Sequence, residues 1–174
     1  MGKLVFILGG ARSGKSTYAI SLAKKYKKVA FIATAHALDR EMKKRIQWHQ
    51  KVRPQEWKTY EEPENPAPLI KKIGNLYECI LLDCLTLLIS NLILKKYREE
   101  KIIKTINALL SASKDKKAKI IMVSNEVGLG LVPANKLGRN FRDIAGKINQ
   151  LIAVQADEVF FAISGIPIKI KGEK

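Results

Sequence analysis

Apolar residues come in short bursts rather than in one long block. Strand-like runs recur at Lys3–Leu8, Val29–Thr34, Cys79–Asp83, Lys119–Ser124 and Glu158–Ile163. Each is mostly apolar, as strands buried on both faces of a sheet must be. Between them the apolar positions change to helical spacing, over Lys15–Tyr26, Asp39–Lys51, Ala67–Ile73, Leu85–Lys95, Glu99–Ser113 and Asn135–Gln155. Alternating strands and helices predict an α/β fold: a mostly parallel central sheet with helices on both faces. The end of the chain breaks the alternation. Ser164-Gly165 separates Val159–Ile163 from Ile166–Ile170, which predicts a terminal hairpin and an antiparallel edge strand. Glu61–Pro68, with its prolines, is expected to be a loop, and no linker or repeat divides residues 1–174, so one domain is expected.

Composition adds bounds. The 174 residues are enough for a full core. The most apolar stretch, Cys79–Leu94, is interrupted by Asp83, Thr86, Ser90 and Asn91, so no membrane span is expected. Met1–Leu8 shows no signal sequence, and Cys79 and Cys84 have no metal-binding spacing. Reduced core thiols and a cytoplasmic location are the expectation. The net charge of +16 raises the question of nucleic acid, but the lysines are scattered in pairs such as Lys24-Lys25 and Lys95-Lys96, with no arginine-rich arm. That dispersal reads as a lysine-rich solvated surface and not as a nucleic-acid footprint.

In open α/β sheets, ligands collect at the carboxyl ends of strands. The first such end carries Gly9-Gly10-Ala11-Arg12-Ser13-Gly14-Lys15-Ser16. This matches G-x-x-x-x-G-K-[ST] between a strand and a helix, the pattern of a nucleotide phosphate loop. Its backbone N–H groups cradle phosphates, Lys15 reaches the β- and γ-phosphates, and Ser16 is a ligand for Mg²⁺. Further polar strand ends are Thr34, Ala35 and His36, then Asp83, then Ser124, Asn125 and Glu126. Asp83, after Ile80-Leu81-Leu82, suits an acid that binds Mg²⁺ directly or through water; it also suits a helix N-cap.

His49 stands among Arg45, Lys51 and Arg53. A lone histidine in a basic helix is commonly a surface residue, yet neighbouring cations favour the neutral, nucleophilic imidazole and suit a phosphate-bearing ligand. Glu61, four residues after Trp57, has the chemistry to accept the N–H donors of a guanine, as well as that of a merely solvated acid. Ser124–Gly130 and Leu137–Asp143 read equally as a mobile substrate loop with arginines or as a plain connection to a long helix.

Taken together, these segments resemble the bifunctional adenosylcobinamide kinase / adenosylcobinamide-phosphate guanylyltransferase family of cobalamin synthesis. The resemblance is carried by GGARSGKS at 9–16, IATA at 32–35, D-x-E-M-x-x-R-I-x-x-H-x-x-x-R-P at 39–54, W-x-T-x-E at 57–61, LLDCLT at 81–86, SNEVGLGLVP at 124–133, LGRNFRD at 137–143 and AD-x-V at 156–159. The phosphate loop is unspecific; the histidine segment together with SNEVG-x-G-x-x-P is specific. The resemblance implies a RecA-like phosphate-loop fold and a homotrimer. It implies phosphorylation of adenosylcobinamide with ATP or GTP, then transfer of GMP from GTP to the phosphate through a guanylyl-histidine, releasing pyrophosphate. His49 is the match to that histidine. The rest of the site would be the phosphate loop with Thr34, Ala35, His36, Arg53, Glu61 and Asp83 for nucleotide, and Ser16 and Asp83 for Mg²⁺. Two rivals remain on the residues alone: another phosphate-loop small-molecule kinase, which has no use for His49, and a RecA-like nucleic-acid ATPase.

Overall fold

The computed structural model describes residues 2–35, 50–51, 53–114 and 116–173. Seven strands form one sheet: β1 (Leu4–Gly9), β2 (Val29–Ala33), β3 (Lys58–Glu61), β4 (Cys79–Asp83), β5 (Lys119–Asn125), β6 (Glu158–Ile163) and β7 (Ile166–Lys171). Their order across the sheet is β3-β2-β4-β5-β1-β6-β7, and every neighbouring pair is parallel except β6 with β7. The described helices are α1 (Lys15–Ala23), α2 (Pro66–Ile73), α3 (Leu85–Leu94), α4 (Glu99–Ser113) and α5 (Lys136–Gln155).

Strand periodicity divides the core. Phe6, Leu8, Ala30, Ile32, Ile80, Leu82, Ile120 and Met122 face one side, where residues of α2, α3, α4 and α5 complete a large apolar cluster. The alternate residues Val5, Ile7, Phe31, Ala33, Cys79, Leu81, Ile121 and Val123 face the other side, packed with Ala19 and Ala23 of α1 and with Trp57. All five residues of β2 are buried, as its near-continuous apolar run requires.

The structure departs from the sequence pattern in two places. The strand β3 was not anticipated: Lys-Thr-Tyr-Glu is polar, and at the edge of the sheet its side chains stay largely exposed, so no apolar run marks it. Its last residue is Glu61, so the expected loop over Glu61–Pro68 narrows to 62–65. Pro66 and Pro68 open α2 instead, since first-turn positions have no intrahelical partner for the N–H that proline lacks. The expected Asp39–Lys51 helix falls mostly outside the described residues, although Gln50 and Lys51 are helical; His36 and His49 also lie outside them. The terminal hairpin and its antiparallel edge are as expected.

Candidate functional site

The loop between β1 and α1 is held by its neighbours. Gly9 pairs in register with Asn125 on one side and Ala162 on the other, and its carbonyl accepts the N–H of Glu126 at 3.0 Å. A Cβ on Gly9 would lie 2.7 Å from the carbonyl oxygen of Ala162 and 2.4 Å from Ser13 Oγ, so only glycine fits. Gly14 caps α1 with φ of 88°, a left-handed value that glycine adopts without strain. Arg12 is also left-handed, at φ 57°, and exposed. Lys15 Nζ donates to the Gly10 carbonyl at 2.9 Å, across the mouth of the loop. Ser16 stands half-buried in the first turn of α1, where unpaired N–H groups and the helix dipole favour anions.

A second cluster is built from side chains over β3, β2 and β4. Register places Glu61, Ala33 and Asp83 in one row across these strands. In-register residues of parallel strands point to the same face, here the one that carries Phe31 and α1. Two strand spacings separate the backbones of Glu61 and Asp83, about 10 Å. The Arg53 guanidinium covers Phe31, 3.5 Å from the ring centroid, in cation–π stacking. Burial lowers the pKa of Arg53, while the charges of Asp83 and Glu61 raise it. A cation thus bridges the two acids electrostatically over an aromatic floor. Arg53 Nε is buried with no hydrogen-bond partner among the described residues. Beside it opens a cavity of about 450 Å³ lined by Gln50, Arg53, Trp57, Thr59 and Glu61.

Between the two clusters runs a buried polar seam. Thr34 Oγ1 donates to the Cys84 carbonyl at 2.6 Å and accepts the Cys84 N–H at 2.9 Å, tying β2 to β4. Asn91 of α3 donates to the carbonyls of Thr34 and Pro63. Thr86 Oγ1 lies 3.2 Å from Ser124 Oγ and accepts the Asn125 N–H at 2.6 Å, tying α3 to β5. Asn149 Nδ2 of α5 donates to the Asn125 carbonyl. Thr34, Ser124 and Asn125 are the polar strand ends expected from the sequence; Thr86 and Asn91 stand out there only as breaks in an apolar stretch, and Asn149 not at all. The signal was available for Thr86, a small polar residue in the otherwise apolar start of α3. Asn91 carries the same signal in the same apolar run, whereas Asn149 sits in a mixed helix, where nothing in the sequence separates a seam residue from a solvated one.

The structure therefore brings Gly9–Ser16, Thr34, Ala35, Arg53, Glu61 and Asp83 to the carboxyl edge of one sheet. Lys15 and Asp83 both act on the Cys84 thiol, which shows the loop and the end of β4 converging. That thiol is pushed up to about 12, first by burial and then by Asp83; burial also pushes Cys79 up to about 12. Neither cysteine, both free and buried, supplies a thiolate near neutral pH. Among the described residues no group of three His, Cys, Asp or Glu side chains could hold a metal. The hydroxyl of Ser16 and carboxylate of Asp83 fit Mg²⁺ nonetheless, because that ion usually keeps waters and takes substrate phosphates beside one or two protein ligands. No helix among the described residues is long and apolar enough to cross a membrane. Exposed Leu129, Leu131 and Val132 mark the connection between β5 and α5 as an open loop.

The fold is similar to that of a KaiC-like protein from Pyrococcus horikoshii OT3, with a TM-score of 0.52, 15% identity, and coverage of 92% of this chain and 70% of that one. It is also similar to the RadB recombinase, with a TM-score of 0.53, 14% identity, and coverage of 92% and 74%. These likenesses make the architecture RecA-like. In sequence, the chain is 43% identical over 168 residues to the bifunctional adenosylcobalamin biosynthesis protein CobP of Pseudomonas aeruginosa PAO1, covering 96% of each. It is 39% identical over 180 residues to the protein of the same description, CobU, from Escherichia coli K12, covering 97% of this chain and 99% of the relative. Residues 5–170 match the profile of cobinamide kinase / cobinamide phosphate guanyltransferase. With that match running from β1 into β7 through every cluster described above, the chain belongs to the cobinamide kinase / cobinamide phosphate guanyltransferase family of transferases.

Proposed function

We propose that this chain carries out both reactions of its family at the carboxyl edge of the sheet. It phosphorylates the hydroxyl of adenosylcobinamide with ATP or GTP, and then transfers GMP from GTP to that phosphate. The observation that carries the reading is the convergence of a glycine-built phosphate loop with Asp83, Arg53 and Glu61 on one edge.

In this reading Gly9–Ser16 grips the triphosphate, with Lys15 leaving the Gly10 carbonyl for the β- and γ-phosphates. Ser16 and Asp83 hold Mg²⁺, which when bound neutralises charge on the phosphates. Arg53, stacked and flanked by acids, presents a planar fork of donors to phosphoryl oxygens. Glu61 accepts the N–H donors of guanine, and Thr34 and Ala35, with His36 beyond them, line the nucleotide. The His49 imidazole forms a P–N bond to the α-phosphorus of GTP while the bond to the bridging oxygen breaks and pyrophosphate leaves. A phosphate oxygen of the cobinamide phosphate then displaces the imidazole. Splitting one transfer between two anions into two steps is what a histidine nucleophile provides.

The test is incubation with GTP labelled on its α-phosphate. Label is expected on His49, in an adduct that is acid-labile and base-stable. His49→Ala is expected to abolish guanylyl transfer and to retain at least part of the kinase activity. A labelled His49→Ala protein would remove the histidine from this role. A homotrimer is part of the same proposal, supported by the exposed Ile166, Ile168 and Ile170 on the free edge strand; light scattering in solution reads it.

A further inference from the structure

The two-residue turn that closes the terminal hairpin lies against the phosphate loop. Ser164 has φ of 50° and Gly165 of 86°, the pair of positive values of a type I′ turn. The Gly165 N–H donates to the Ser13 carbonyl at 3.0 Å. A Cβ on Gly14 would lie 2.9 Å from Gly165 Cα, so the two backbones touch with no side chain between them. The hairpin base is fixed as well: Glu158 accepts from Lys119 of β5 at 3.1 Å and from Lys169 of β7 at 3.0 Å.

The consequence follows from peptide geometry. The only cis peptide among the described residues is Asp83–Cys84, so the Ser13–Gly14 peptide is trans. In a planar trans peptide the C=O and the next N–H point in opposite directions. Holding the Ser13 carbonyl outward, on Gly165, therefore aims the Gly14 N–H inward, to the side where a phosphate is cradled. On the opposite flank the Gly9 carbonyl is held by Glu126 in the same way, which orients the Gly10 N–H.

We propose that the Ser164–Gly165 turn is a positioning element of the phosphate loop: it sets the orientation of the Ser13–Gly14 peptide, and so the affinity for the triphosphate. The proposal rests on the reading of Gly9–Ser16 as the triphosphate site. Gly165 touches no substrate and acts through the loop. It gives a role to the left-handed glycine of the hairpin turn, where an added Cβ would meet nothing within 4 Å and only the backbone conformation calls for glycine.

The experiment compares Gly165→Val, whose branched Cβ resists positive φ, with Gly165→Asn, which tolerates it. GTP affinity is measured by calorimetry for both, with Lys15→Ala as the control for the loop and GMP as a ligand lacking the outer phosphates. The Val variant is expected to bind GTP at least tenfold more weakly and GMP within about threefold of the parent, while the Asn variant binds both normally. A folded Val variant with unchanged GTP affinity overturns the proposal. The second measurement needs neither variant nor nucleotide: hydrogen exchange of the parent protein. The Gly165 amide, in an exposed turn, is expected to exchange at least tenfold more slowly than a free turn amide, and free exchange also overturns the proposal. If Lys15→Ala binds GTP as well as the parent, the triphosphate reading fails instead, and exchange at Gly165 still decides whether the clamp exists.

Discussion

The two halves of the site are made of different material. Around β1 the structure is nearly all backbone: glycines at 9, 14 and 165, carbonyls held by neighbouring strands, and a lysine folded onto a carbonyl. Around β3, β2 and β4 it is side chains: a guanidinium on a phenyl ring, with acids on the flanking strands. The backbone half accepts no added atoms at Gly9 and Gly14, and its loop is one short run of residues steadied from outside by Glu126 and the Gly165 turn. The side-chain half draws Phe31, Arg53, Glu61 and Asp83 from four separate segments. Backbone cradles recognise what all nucleotides share, their phosphates; side chains supply what distinguishes one base or one reaction from another.

That contrast can be broken at Arg53. Arg53→Ala is expected to lower guanylyl transfer about a hundredfold, the usual loss for one donor to developing charge. Arg53→Lys should do almost as badly, since an ammonium neither stacks flat on Phe31 nor offers a fork. Single-turnover kinetics with labelled GTP reads both, and a fully active lysine variant would reduce Arg53 to a bulk charge. A finer cut is Glu61→Gln, which replaces one acceptor with a donor facing guanine. It is expected to reduce the preference for GTP over ATP by roughly tenfold, from about 1.5 kcal/mol for a hydrogen bond to a charged group. Competition binding measures this, and an unchanged preference would place base recognition elsewhere.

The smallest effect concerns the backbone half. Hydrogen bonds first from Lys169 and then from Lys119 hold Glu158 below the usual carboxylate range, against the opposing effect of burial. Because the folded value is lowered, the ion pairs stabilise the chain above the ordinary carboxylate value and are lost as pH falls through the folded one. Acidification to about pH 4 and below should therefore loosen the hairpin by about 1 kcal/mol or less, and Glu158→Gln should flatten that part of the stability–pH curve. Thermal unfolding across pH tests it; identical curves for the two proteins would leave Glu158 with no such role.

Legibility followed the same division. The phosphate-loop motif was readable in eight consecutive residues because its pattern is local, and the strands β1, β2, β4, β5 and β6 were readable because burial on both faces demands apolar runs. Glu61 stands out in the sequence as an acid, but its strand does not, since an edge strand needs no apolar signature. Arg53 stands out for its charge, yet nothing local indicates that it lies over a ring 22 positions earlier in the chain. The hairpin was visible as Ser164-Gly165, whereas its contact with Ser13 and Gly14 was not.

By itself, then, the sequence determined the alternation of strands and helices, the phosphate-loop motif, and, through ordered motifs across most of its length, the family. Each of these is written in local spacing or in short words of adjacent residues. Only the tertiary structure decided the strand order, and with it the row Glu61–Ala33–Asp83, the Arg53–Phe31 stack, and the seating of the last turn against the first loop. Those depend on which strands lie side by side. Buried apolar strands carry nearly interchangeable faces, so their order is settled by packing and connection over the whole chain rather than by any one segment.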